Sequence, residues 1–189
     1  MAVVIDGTNG VSSPDYEVDG VTGQLYPVVS GTAKAWNWNG LTTNKEIDFT
    51  GIPSWVKKIT VMLSGLSTNG TSVPILQLGD SGGVENTGYL GSASGIAAVS
   101  VASSNFTAGF GLSNSNTAAT ITHGSLTLSL VDSASNLWAC SGATARSDVA
   151  YSNVTSGTKT LSDTLTQIRI TTAGGTDNFD AGTINILYE

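Results

Sequence analysis

Residues 57–65 read KKITVMLSG, and their alternation decides the fold class. In an extended strand, successive side chains point to opposite faces of a sheet. Ile59, Val61 and Leu63 then share one apolar face, while the residues between them occupy the other. This period of two predicts a β-strand that is buried on one side.

The same alternation recurs towards the C-terminus. The apolar residues that share a face are Leu126, Leu128 and Leu130 in GSLTLSLVD, Ile168 and Ile170 in LTQIRITT, and Ile184 and Ile186 in TINILYE. Shorter apolar runs at 73–78, 106–112, 137–141 and 149–151 are further strand candidates. The chain therefore predicts many strands at short intervals, as in an all-β domain.

Clusters of turn-forming residues separate these strands at 67–70, 113–116, 132–136 and 173–178. Asp, Asn, Ser and Gly favour turns because they bond to nearby backbone or accept positive φ. The cluster at 132–136 predicts a hairpin. The low-complexity stretch 91–105 (GSASGIAAVSVASSN) is interpreted as a long loop with at most one short strand.

No segment shows the 3.6-residue apolar period of a helix. The predicted fold is all-β, an antiparallel β-sandwich or jelly roll with an extended N-terminal arm. Residues 46–189 form the predicted sandwich. Residues 1–45, where Gly, Asn and Pro interrupt short apolar runs, form the predicted arm, which is interpreted as an attachment segment or a contact with another subunit.

The composition excludes several classes of partner. Only 11% of the residues are charged and the net charge is −7, so the basic face of a nucleic-acid binder is missing. The same charge opposes adhesion to an anionic membrane and favours basic protein surfaces or neutral glycans. No apolar run reaches the length of a membrane-spanning helix, so we expect no membrane insertion.

Cys140 is the single cysteine, so an intrachain disulfide is excluded. It lies in the apolar run NLWACSG, which predicts a buried thiol that packs as a small hydrophobic side chain. The N-terminal MAVVIDGTNG does not have the pattern of a secretory signal.

Residues 79–83, GDSGG, match the nucleophile motif of trypsin-like serine proteases. That chemistry needs a His to take the Ser proton and an acid to orient the His. His123 is the sole histidine and it follows Ser81, whereas the trypsin-like order places the His first. A GxSxG elbow must lead into a helix, which VENTGYLG does not predict. We therefore interpret GDSGG as a Gly-rich turn between strands, and no residue as catalytic.

Two acidic clusters were weighed as ion sites. Asp15 to Gly20 begins like a calcium loop, with Asp19 at the fifth position, but its twelfth position is Tyr26 and not a bidentate Glu. Asp177 and Asp180 predict a turn capped by Asp side chains. We therefore expect no metal and no cofactor.

Trp36 and Trp38 lie two residues apart in AWNWNG and would share one face of a strand. Paired aromatic side chains pack at interfaces and also stack on sugars. Together with Tyr26 they are the candidates for assembly or ligand contact. Trp55, after the turn that Pro53 favours, is predicted to pack beneath the start of the sheet.

Three blocks carry a resemblance to a known family. They are IDFTGIPSWVKKITVMLSGLSTNGTS at 47–72, SGGVENTGYLGS at 81–92 and TLSDTLTQIRITTAGGTDNFDAGTINILYE at 160–189. These blocks resemble a module of tail-fibre and related virion structural proteins of tailed bacteriophages. The resemblance implies β-rich, often trimeric modules on the particle surface, and it supplies no catalytic residue. It further implies that residues 46–189 are a display domain and that residues 1–45 attach to the particle or contact another subunit.

The expected function is accordingly a non-enzymatic virion surface protein, a tail-fibre or tail-tip component that contacts the host. Its expected partners are other copies of itself, as a homotrimer, other virion proteins, and a glycan or protein of the host surface. A capsid decoration or head-fibre protein is the alternative, because the chain has no extended shaft repeat. A hydrolase, either a depolymerase or a GDSGG peptidase, is the third hypothesis.

Overall fold

The structure, a computed structural model, describes residues 44–189 and five short strands before them. The early strands are β1 (Val4–Asp6), β2 (Gly10–Ser12), β3 (Tyr16–Val18), β4 (Val21–Gly23) and β5 (Lys34–Asn37). The later strands are β6 (Ile47–Thr50), β7 (Lys58–Thr68), β8 (Pro74–Asp80), β9 (Gly83–Val84), β10 (Leu90–Ala97), β11 (Val101–Phe106), β12 (Phe110–Gly111), β13 (Thr122–Asp132), β14 (Leu137–Arg146), β15 (Tyr151–Thr160), β16 (Gln167–Thr172) and β17 (Phe179–Tyr188).

Two antiparallel sheets build the body of the protein. The larger sheet has the order β11-β10-β15-β14-β13-β7-β17-β5. The smaller sheet has the order β12-β8-β16-β6, with β9 also paired to β8. Separate hairpins form between β1 and β2 and between β3 and β4. The all-β prediction is confirmed, and within the described residues no helix is long and apolar enough to cross a membrane.

The core lies between the two sheets and uses the predicted alternation. Both sheets contribute to one apolar cluster, which includes Ile59, Val61, Leu63, Leu126, Leu128, Ile168, Ile170, Ile184 and Ile186. Trp55 packs against this cluster, with its ring centroid 5.9 Å from that of Tyr188. The predicted position of Trp55 is therefore confirmed.

Two distant blocks of the sequence lie side by side in the fold. Residues 47–72 contain β6 and β7, and residues 160–189 contain β16 and β17. β6 pairs with β16 in the smaller sheet, and β7 pairs with β17 in the larger one. Each sheet therefore contains a ladder between distant parts of the sequence.

Three strand predictions were wrong in detail. Residues 91–105 are no long loop, because β10 and β11 form a regular hairpin there. Residues 106–112 are split by a turn between β11 and β12, and residues 147–150 form a turn that precedes β15. β10, β11 and β15 are rich in Gly, Ala, Ser and Thr, so they lack the apolar alternation that reveals a strand.

The predicted arm is partly described. β5 falls inside residues 1–45 and forms the last strand of the larger sheet, where Trp36 pairs with Ile184 of β17 in the backbone register. Asp15, Asp19, Tyr26 and Trp38 lie outside the described residues.

Candidate functional site

The GDSGG segment forms a tight turn between β8 and β9, as predicted. Asp80 ends β8, and its Oδ1 accepts a 2.7 Å hydrogen bond from the backbone N–H of Gly82. Ser81 Oγ lies 3.5 Å from Asp163 Oδ2. The carboxylate therefore caps the turn, which is a structural use of the motif.

His123 has its own partners, away from Ser81. The Gly65 N–H donates a 3.1 Å hydrogen bond to His123 Nδ1, so the proton of the neutral ring lies on Nε2. His123 Nε2 is 3.1 Å from Ser147 Oγ and donates to it. The hydrogen bonds of Ser81 and His123 thus go to different residues, and the pair is not assembled as nucleophile and base.

Asp80, Glu85, Lys159 and Ser162 form an inter-sheet cluster, in which Asp80 and Lys159 are buried, Glu85 is half-buried and Ser162 is exposed. Lys159 Nζ makes an ion pair with Glu85 Oε2. Ser162 Oγ lies 2.8 Å from Glu85 Oε1 and 2.7 Å from Asp80 Oδ2. Because Lys159 lies on β15 and Asp80 on β8, this cluster ties the larger sheet to the smaller one.

Electrostatics in the inter-sheet cluster favour the charged carboxylates. The hydrogen bond from Ser162 lowers the pKa of Asp80. Burial raises the pKa of Glu85, but hydrogen bonds from Lys159 and Ser162 outweigh it and the pKa is lowered. Lys159 Nζ also lies 5.5 Å from the ring centroid of Tyr89. All these interactions are internal, so the cluster stabilises the fold.

The second acidic pair takes two different roles. Asp177 Oδ2 accepts a 2.7 Å hydrogen bond from the Ser72 N–H, so its carboxylate binds the distant 69–72 turn and does not cap its own. Asp180 instead lies within β17, and its Oδ1 is buried without a hydrogen-bond partner. In the described part of the chain, no three His, Cys, Asp or Glu side chains are placed to hold a metal ion.

Cys140 is buried in β14, as predicted. Burial raises the pKa of its thiol to about 12, so the reactive thiolate is disfavoured at neutral pH.

A polar groove of about 280 Å³ crosses the smaller sheet near Arg169. Arg169 Nε donates to Asp48 Oδ1 at 2.6 Å and Nη2 donates to Asp48 Oδ2 at 2.8 Å. Arg169 Nη1 also lies 2.9 Å from Glu46 Oε2. Since both carboxylates engage the guanidinium, this groove does not present a free cation to an anionic ligand.

A different part of the molecule has no formal charge at all. Between Glu85 and Asp132 the sequence contains no Asp, Glu, Lys or Arg. This interval forms β10, β11, β12 and most of β13, and so supplies one end of the larger sheet. It is the strongest compositional contrast along the chain.

The outer face of the larger sheet is correspondingly small and neutral. One row across it, read from the ladder registers, consists of Thr60, Thr127, Ser141, Ser156, Ser92 and Asn105. The next row reads Met62, Ser125, Ala143, Val154, Ser94 and Ser103. Ser94 Oγ and Ser103 Oγ are hydrogen bonded at 2.8 Å. Nothing in these rows repels a second protein surface by charge.

Apolar side chains stand exposed at both ends of the β10–β11 hairpin: Ile96, Val99 and Val101 lie at its turn, and Leu90 lies at its open end. Val99 in the hairpin turn is 97% exposed, Leu90 is 75% exposed and Val101 is 71% exposed. Ile96 and Val154 add to the same side of the sheet. We call these five side chains the apolar patch. Such a patch on a sheet edge marks a protein contact or an aggregation site.

A shallow depression of about 500 Å³ lies next to the apolar patch. Leu90, Phe106 and Thr107 line it together with Gly91 and Gly157, which are register neighbours on β10 and β15. A Cβ at Gly157 would lie 2.6 Å from the Cα of Gly91, so the two ladders require glycine there. The missing side chains leave a concavity beside an exposed leucine.

Comparison with known proteins adds no assignment. No protein-family model matches the chain, and no curated protein or solved structure is significantly similar to it.

The apolar patch was not predicted from the sequence. Trp36, Trp38 and Tyr26 were the residues weighed for assembly, whereas the patch of the described residues is aliphatic and lies on β10, β11 and β15. The available signal was the uncharged interval 86–131, in which strands would lack the charges that usually protect sheet edges.

Proposed function

We propose that the chain is a non-enzymatic structural protein of a virion surface, a tail-fibre or tail-tip component that contacts the host. It forms a homo-oligomer through the apolar patch and the neutral sheet face around it. The observation that carries this proposal is that an uncharged interval, exposed apolar side chains and a free sheet edge occur along the same β10–β11 hairpin.

Charge supports contact between copies at this place. At a net charge of −7, two copies repel each other through most of their surfaces. The interval 86–131 contributes nothing to that repulsion, so copies approach most easily there. Burial of the apolar patch would then stabilise the contact by roughly 25 cal/mol for each Å² of apolar area removed from water.

The resemblance to phage tail-fibre proteins supports the virion part of the proposal. Its two longest blocks form the β6–β16 ladder of the smaller sheet and the β7–β17 ladder of the larger sheet. A rigid antiparallel body suits a protein that must keep its form outside a cell, and its loops can differ without disturbing the core.

Three measurements test the proposal. Sedimentation equilibrium of the full chain should give a mass above the 19.2 kDa of one copy, and mass spectrometry of purified virions should detect the protein. Gold labelling of intact particles should place it on the tail. A strictly monomeric chain that is missing from virions would overturn the proposal, and label on the head would instead support the decoration-protein alternative.

A further inference from the structure

We propose that two copies pair β11 with β11 antiparallel about a two-fold axis, so that their larger sheets join into one continuous sheet. This inference rests on the proposed self-assembly and specifies its contact, with a two-fold pair in place of the homotrimer that the resemblance implies. The partner is a second copy of this chain, and the contact is a backbone ladder flanked by the two apolar patches.

β11 differs from the other edges of the two large sheets. β6 carries Asp48, which is engaged with Arg169, and the sequence of β5 includes Lys34. β9 and β12 are only two residues long. β11 has six residues, with no charge and no proline. It therefore lacks the devices that prevent edge-to-edge pairing.

The hairpin geometry shows which backbone groups β11 offers. The Ala97 N–H donates to Ser100 O at 2.9 Å, which makes this pair a hydrogen-bonded one. Hydrogen-bonded and non-hydrogen-bonded pairs alternate along an antiparallel ladder. Ala102, Ser104 and Phe106 therefore bond to β10, while the N–H and C=O groups of the alternate residues point to the free edge. Those alternate residues are Val101, Ser103 and Asn105.

One register satisfies all of these groups at once. With Ser103 opposite Ser103 of the second copy, Val101 of each copy pairs with Asn105 of the other. Each hydrogen-bonded pair exchanges two bonds, so three pairs supply about six. The two-fold axis then runs perpendicular to the sheet through the Ser103 pair, and the contact is isologous.

The same register brings the exposed apolar groups together. The hairpin turn of one copy then reaches residues 106–107 of the other, so Val99 lies opposite Thr107 of the second copy. Thr107 lines the depression beside Leu90. Val99, the most exposed side chain of the apolar patch, therefore contacts the depression beside Leu90 of the second copy. Neither patch nor depression contains a charged residue.

Site-directed cross-linking tests the register. Ser103→Cys should convert the full chain from 19.2 kDa to a covalent dimer of twice that mass with a short bismaleimide, because Cα atoms of a hydrogen-bonded pair are only about 5.5 Å apart. Cys140 is buried and does not compete. Ser141→Cys, at an exposed position in the middle of the outer face, is the matched control and should give no covalent dimer under the same treatment.

Ser103→Pro provides a second test that preserves the chain's own ladder. It removes an N–H that points to the free edge and leaves every bond between β10 and β11 in place. The variant should sediment as a single copy with an unchanged far-UV circular dichroism spectrum.

The outcomes separate this inference from the proposed function. Dimers from Ser141→Cys and none from Ser103→Cys would overturn edge pairing in favour of stacked faces. An oligomer that Ser103→Pro leaves intact, or an exact trimer, would overturn edge pairing and leave the virion assignment standing. A chain that is monomeric at every concentration would overturn both the pairing and the self-assembly on which it rests.

Discussion

The inter-sheet cluster and the free edge of β11 treat polar groups in opposite ways. In the cluster, the carboxylates of Asp80 and Glu85 find their donors within the chain, at Ser162 and Lys159. At the edge, the ladder geometry directs every second N–H and C=O of β11 away from the protein. The carboxylates of the cluster are hydrogen bonded within a single copy, whereas the outward N–H and C=O groups of β11 are directed towards solvent or a second protein.

This difference separates stability from association. Substitutions in the core or in the inter-sheet cluster should lower the free energy of unfolding, because buried partners lose their contacts. Changes at the β11 edge should leave that free energy almost unaltered and act on the assembly. The predictions below run from the largest expected effect on unfolding to the smallest.

The largest effect is expected in the core beneath the two sheets. Ile168→Ala removes a fully buried side chain from β16 and should lower the free energy of unfolding by about 4 kcal/mol. Ile96→Ala is the matched control, since Ile96 is 46% exposed in the apolar patch, and it should cost less than about 0.5 kcal/mol at low protein concentration. Urea denaturation measures both, and equal losses would contradict the assignment of these positions.

The next largest effect is expected in the inter-sheet cluster. Glu85→Gln leaves the buried ammonium of Lys159 without an anion and should cost about 3 kcal/mol. Glu189→Gln breaks the exposed pair with Lys58 and should cost about 0.5 kcal/mol or less. Thermal and urea unfolding of both variants would show the difference, and a Glu85→Gln protein as stable as its control would show that the cluster contributes nothing.

Acid should destabilise the protein through the same carboxylates. Asp80 and Glu85 have lowered pKa values in the folded chain, so the stability that they add is complete above their ordinary values of 3.8 and 4.5 and is lost as the pH falls through the folded values. The hydrogen bond from Arg146 lowers the pKa of Asp148 to about 2, so the stability that Asp148 contributes is lost only at the lowest pH. Unfolding free energies between pH 6 and about pH 2 should fall steadily, and less steeply in Glu85→Gln.

The smallest effect on unfolding is expected at the free edge. Ser103→Lys places a charge on an exposed side chain of β11 and should change the stability of one copy by less than about 0.5 kcal/mol. In the paired register the two new charges would face each other, so the variant should sediment as a monomer. Ser133→Lys, in the exposed turn between β13 and β14, adds the same charge elsewhere and should leave the oligomer intact.

The scaffold was predictable because its strands alternate apolar and polar residues. β7, β13, β16 and β17 bury the alternating Ile, Val and Leu residues that the sequence indicates, among them Ile59, Leu126, Ile168 and Ile184. β15 gives no such signal, because its inward positions include Asn153, Thr155 and Lys159. These polar side chains are buried only because distant partners bond to them, as Glu85 does to Lys159. The local sequence pattern does not reveal these distant hydrogen-bond and ion-pair partners.

The candidate site was less predictable for the same reason. Residues 91–105 combine Gly, Ala and Ser with isolated Ile and Val, a composition shared by loops and by sheets with small side chains. β10 is a strand because it pairs with β15 on one side. On its other side it pairs with β11, which therefore becomes the edge of the sheet. Which strand becomes an edge depends on the order of the whole sheet, so the exposure of Val101 follows from topology.

Amide hydrogen exchange at two protein concentrations tests the central claim most directly. In concentrated protein, the amides of Val101, Ser103 and Asn105 should be protected, and dilution to the single copy should release them. The amides of Ala102, Ser104 and Phe106 bond to β10 and should stay protected at both concentrations. Fast exchange of the first three amides at every concentration would contradict pairing at the β11 edge.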